Sequence, residues 1–110
     1  MNIEKTLIGS LIKRPELIPD VYGIVNHNDF QDNQLAIIYS TLIDMVKEES
    51  EIDLITICKR FVDNSEFIPL ISECEDMSLS QSNSKDHAKI ISDGGRSRRL
   101  AVKLSQLAIK

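Results

Sequence analysis

"DNQLAIIYSTLIDMVKE", residues 32–48, decides the fold class. Its apolar residues Leu35, Ile38, Tyr39, Leu42, Ile43 and Val46 recur three or four positions apart. That spacing lays them along one face of an α-helix, where a strand would alternate every second residue. The same period continues on both sides of this stretch. Ile3, Leu7, Ile8, Leu11 and Ile12 form a second such face, which should stop near Arg14 because Pro15 disfavours helical geometry in the residue before it. Gly9 stands in the middle of that helix, at a cost of roughly 1 kcal/mol against Ala. It is expected to mark the place where another helix packs against the backbone.

Between these two helices, residues 16–25 read as a shorter helical stretch with Pro19 in its first turn. "NHNDF" (26–30) reads as a loop anchored by Phe30. After residue 48 the acidic "KEESE" ends the long helix. Asp53 is placed to cap "LITICKRFV" (54–62), its carboxylate accepting a backbone N–H of the next turn. A fifth helix spans Glu66 to about Asp76 with Pro69 at its opening, and "SLSQSNS" (78–84) is a polar linker. A final helical region starts at Asn83. Gly94-Gly95 interrupts it at a cost of roughly 2 kcal/mol against two alanines, which predicts a kink or a break. No strand alternation extends beyond a few residues, so the reading is all-α. With five aromatic residues and no Trp, the core must be built from Leu, Ile and Val. Cys58 and Cys74 fall on apolar helical faces and read as small buried hydrophobes.

Charge is unevenly placed. Residues 1–84 carry six basic and fifteen acidic side chains, whereas residues 85–110 carry seven basic and two acidic. An acidic body binds phosphates poorly, because such affinity at physiological salt rests on Lys and Arg. Cations gather only near the end, chiefly Arg96, Arg98, Arg99 and Lys103, so weak or no direct DNA binding is expected. In the same segment Leu100, Leu104 and Leu107 are spaced four then three apart, the pattern of a heptad seam, with Ala101 and Ala108 beside them. Val102 and Ile109 are placed on a neighbouring face.

Catalytic patterns are missing from the chain. There is no GxxxxGK[ST] phosphate cradle and no GxSxG elbow. His27 and His87 have no ligand-spaced partners for zinc, and "EESEID" (48–53) lacks the glycine and spacing of a calcium loop. Glu73, Glu75 and Asp76 cluster at a helix end, where surface solubility accounts for them. No catalytic, cofactor or metal residue is assigned, and an interaction module is the better reading. No apolar run is long enough to span a membrane. The start lacks a signal peptide's basic-then-apolar order, so a cytoplasmic protein is expected.

Four segments, in order, then carry a family resemblance. "IEKTLIGSLI" (3–12) resembles the opening of the N-terminal domain of bacterial DnaB-type replicative DNA helicases. "NDF" (28–30) with "IIYSTLIDM" (37–45), "IDLITICKRF" (52–61) and "HAKIISDGGRSRRL" (87–100) are similar to that family's later signatures. The family often has His where Leu35 stands, and rarely two glycines at 94–95. The resemblance implies a compact globule, residues 1–80, followed by a linker and the first arm of a helical hairpin, residues 81–110, with the chain ending before the second arm. It further implies that hairpins of neighbouring subunits pair to build a hexamer's collar. That collar recruits primase and, in some systems, a helicase loader. ATP and magnesium would belong to a separate motor domain absent from these residues. Leu100, Ala101, Leu104, Leu107 and Ala108 would then be the subunit interface. Two other readings compete: a primase-type helicase-binding domain or small helicase-modulating protein of the same fold, and a small DNA-binding regulator. The regulator lacks a short Gly-containing turn leading into a basic recognition helix.

Overall fold

A computed structural model describes residues 2–78 and 83–108. All its regular elements are helical: α1 (Ile3–Lys13), α2 (Ile18–Tyr22), α3 (Asn33–Lys47), α4 (Leu54–Lys59), α5 (Phe67–Met77) and α6 (Ser84–Ala108). Short 3-10 turns, Pro15–Leu17 and His27–Asp29, lead into and out of α2. Part of the linker, residues 79–82, lies outside the described residues, as do Ile109 and Lys110.

Helix α1 is the central strut. Its residues Thr6 to Ile12 are all buried, which an amphipathic surface helix could not be. The two hydroxyls this puts inside are satisfied locally: Thr6 donates to the Asn2 carbonyl and Ser10 to the Thr6 carbonyl, both at 2.9 Å. Helix α5 crosses α1 at Gly9, where a Cβ would sit 1.8 Å from the Cys74 carbonyl oxygen. The glycine is therefore a point of backbone-to-backbone approach, as its place in the sequence suggests. Cys74 is fully buried there, and burial pushes its thiol up to about 12. Cys58 is half-buried.

Helix α3 begins where the Asp32 carboxylate accepts the N–H groups of Gln34 and Leu35, at 2.8 and 3.2 Å. It buries Leu35, Ile38, Tyr39, Leu42 and Ile43 as expected, but Met45 in place of Val46. Its C-terminus closes with two bonds, Glu49 N–H to the Val46 carbonyl and Ser50 N–H to the Met45 carbonyl. That pair is the Schellman motif, whose turning residue is usually Gly. Here it is Glu49, at φ 59°. The left-handed region costs a side-chain-bearing residue roughly 1–2 kcal/mol, against 0.5–1 kcal/mol of extra chain entropy for Gly. Glu49→Gly should therefore raise the urea midpoint by an amount equivalent to about 0.5–1 kcal/mol, with an unchanged m-value.

Helix α4 is capped reciprocally: Asp53 accepts from Thr56 N–H and Thr56 Oγ1 accepts from Asp53 N–H, each at 2.8 Å. It stops at Lys59, three residues earlier than its apolar spacing suggests. Arg60 and Phe61 turn more tightly, donating to the carbonyls three residues back, and Phe61 stacks on Phe67 with ring centroids 4.7 Å apart. Val62, left out of the helix, is exposed.

The packed body continues past residue 80. Ser84, His87, Ala88, Ile91, Ser92 and Gly95 of α6 are buried against it. The helix runs unbroken through Gly94-Gly95, with no glycine at positive φ, so the expected break is not there. A contact far away in sequence accounts for this: a Cβ on Gly95 would lie 2.6 Å from Cα and Oδ1 of Asp29, so the helix packs directly on the His27–Asp29 turn.

Candidate interaction surface

From Arg96 to Leu107 every residue of α6 is exposed. The helix leaves the body there, in a molecule that measures 50 × 32 × 28 Å. At about 100° per residue, Leu100, Leu104 and Leu107 fall within about 60° of one another. The buried positions of the same helix, centred on Ala88, Ile91 and Gly95, lie on the far side, their centre roughly 150° from that of the leucines. The leucines are 56%, 57% and 63% exposed. A seam pointing away from its own core cannot fold back onto that core without rotating the whole helix. Ala101 is exposed beside it; the side chain of Ala108 is outside the described residues. Val102 does not share a neighbouring face, because its angle puts it on the body side of the helix, across from the leucines.

The four cations read from the sequence split into two pairs. Arg96 and Lys103 are exposed. Arg98 and Arg99 turn back to the body. Arg98 Nη2 donates to the Asp29 carbonyl at 2.6 Å, and Arg99 Nη1 lies 2.9 Å from Asp29 Oδ1 and 3.4 Å from the Asn28 carbonyl. Asp29 Oδ1 makes no aligned hydrogen bond, so its contact with Arg99 is an ion pair without good N–H direction. Asp29 Oδ2 accepts from Asn26 N–H at 2.9 Å and fixes the turn that carries it. Sequence spacing could have shown something else. Lys85, Lys89, Arg96 and Lys103, spaced four, seven and seven apart, stand on one side of α6 within about 40° and border the leucines.

One further concavity, of about 790 Å³, lies between the start of α1, Gln31-Asp32 and α6. Its polar lining is committed to structure. Glu4 accepts the N–H groups of Gln31 and Asp32, at 2.9 and 3.2 Å, which locks the entry of α3 to α1. Arg98, also in the lining, is held by Asp29. The acidic residue of "IEKTLIG" thus holds Gln31 and Asp32, just after "NDF", while the "ND" itself and the glycine-arginine segment of α6 hold one another. Among the described residues no helix is long and apolar enough to cross a membrane.

Comparison with known proteins agrees with this architecture. By fold the chain is similar to the N-terminal domain of DnaB helicase from Mycobacterium tuberculosis, with a TM-score of 0.86 over 96% of this chain and 80% of that one, at 17% identity. No curated protein matches it by sequence. The family model described as DnaB-like helicase N terminal domain matches residues 1–93, a span that holds the whole packed body except the glycine pair and stops short of the leucine seam. A match over that much of the chain places the protein in the family of DnaB-like helicase N-terminal domains.

Proposed function

We propose that this domain is a non-catalytic scaffold of a replicative helicase, which pairs with other subunits through the projecting part of α6. Recruitment of primase, and of a loader where one exists, would fall to the same assembly, and ATP and magnesium to a separate motor domain. The observation that carries this reading is the direction of the leucine seam: three leucines on a helix that has left its core, facing away from it. The cations bordering the seam would favour acidic partner surfaces, and would hold DNA only at the weak, non-specific level.

The expected strength follows from area. Burying each leucine contributes roughly 1.5–3 kcal/mol, and two facing arms bring six of them. Association costs an estimated 4–15 kcal/mol. The surplus is small, so this chain should self-associate with a dissociation constant in the micromolar to millimolar range. Leu104→Glu puts a carboxylate at the middle of the seam and should weaken association at least about tenfold, a loss of about 1.4 kcal/mol. The mutant's helical circular dichroism and melting temperature should stay at wild-type values. Sedimentation equilibrium of both proteins measures the difference. Equal self-association would remove the pairing role of the seam, and an unfolded mutant would place Leu104 in the core.

A further inference from the structure

We infer that Gly94-Gly95 is a hinge in α6, and that Arg98 and Arg99 form a latch on Asp29 which holds the arm beyond it in one direction. Glycine pairs are among the few identifiable causes of helix kinks. Here the helix is continuous across one. Packing explains only half of the pair. A side chain at Gly95 would collide with Asp29, whereas one at Gly94 would meet nothing closer than the tip of Arg98, at 3.6 Å. Backbone freedom is the property both glycines supply. It is opposed by contacts that start three residues beyond the pair: Arg98 to the Asp29 carbonyl, and Arg99 to the Asp29 carboxylate and the Asn28 carbonyl.

The receiving end of the latch is rigid. Asp29 is 3% exposed, its turn is closed by reciprocal bonds with Asn26, and the next residue, Phe30, is buried against Tyr39. The arm beyond the latch is exposed from Leu100 to Leu107, so past the Gly95 contact these few bonds hold the direction of the leucine seam. Both arginines are themselves exposed, and Arg99 is half in solvent. A latch at the surface can open without unfolding the body. When it opens, the hinge lets the arm swing, and the seam changes direction relative to the body. The consequence for assembly rests on the pairing role proposed above; the hinge itself does not.

The test uses the monomer, at concentrations where sedimentation shows no association, so that its outcome is independent of whether the seam pairs. Amide residual dipolar couplings report the orientation of the arm relative to the body. In the wild type, couplings of residues 100–107 should fit the alignment of residues 3–77. In Arg98→Ala/Arg99→Ala they should fall to roughly half or less, as expected when a helical segment moves about a hinge. Alanine is a better helix former than arginine, so these substitutions cannot loosen the arm by propensity, and its helical Cα shifts should persist. Adding Gly94→Ala to the double mutant should restore most of the lost coupling. The inference is overturned by couplings unchanged in the double mutant, by averaging already present in the wild type, by loss of helical shifts in the arm, or by failure of Gly94→Ala to restore alignment.

Discussion

Gly9→Ala should lower the melting temperature by about 12–24 °C, the loss expected for about 3 kcal/mol in a domain near this size. The added methyl carbon would stand 1.8 Å from the Cys74 carbonyl oxygen and 2.6 Å from its carbonyl carbon. Ordinary contact needs about twice the first distance. The obstacle is backbone inside α5, so no rotamer change relieves it. Either α1 and α5 separate along their crossing or one of them bends. Overpacking of a well-packed core usually costs about 1–3 kcal/mol and sometimes more. This case belongs just above that range, at about 4 kcal/mol, because α1 is buried over seven consecutive residues and has no free side to move toward. Alanine's helix preference, about 1 kcal/mol, offsets only part of it. Against a total stability of about 5–15 kcal/mol the change is severe. Thermal and urea unfolding would measure it. A melting temperature within a few degrees of wild type would show that α1 and α5 do not cross at Gly9.

The contrast between elements shows what a sequence can and cannot carry. The period of residues 32–48 gave α3 to within a residue, because a helix with one face inward writes that face into its spacing. Val46 lies on the middle of that face but in the last turn of the helix, and Met45 lies at its edge, so only the neighbouring elements decide which turns in. Helix α4 looked longer than it is, since Phe61 and Val62 continue its apolar pattern. What ends it is the stack of Phe61 on Phe67, a contact with a different helix. The seam of Leu100, Leu104 and Leu107 was visible for the same local reason as α3. Its direction was not, because that depends on which side of α6 meets the body. Arg98 and Arg99 read as surface cations, and nothing local argues otherwise. Their partners are the carboxylate and main-chain carbonyls of a turn about seventy residues away, and carbonyls leave no trace in side-chain spacing. The continuity of α6 through its glycine pair was hidden in the same place. Helix propensity at Gly94-Gly95 is a local cost, and the contact that outweighs it is tertiary.

Alanine substitutions at the two adjacent glycines should therefore act in opposite directions. Gly94 has open space on its side-chain face, and its replacement should stabilise by up to about 1 kcal/mol, the difference in helix preference. Gly95 gains the same preference but loses more. Its new carbon would lie 2.6 Å from Asp29 Cα and Oδ1 and 2.8 Å from Asp29 Cβ. The turn carrying Asp29 is braced by its own hydrogen bonds and by Phe30 in the core, so it cannot retreat without loosening both. Pushing α6 away instead would lengthen the Arg98 and Arg99 contacts and unseat Ala88 and Ile91. Either response should cost about 3 kcal/mol before the propensity gain, or about 2 kcal/mol net. Neighbouring, chemically identical substitutions would then differ by about 3 kcal/mol in urea unfolding, with midpoints on opposite sides of the wild type. Equal effects of one sign would mean that propensity alone governs both positions, and that α6 does not rest on Asp29.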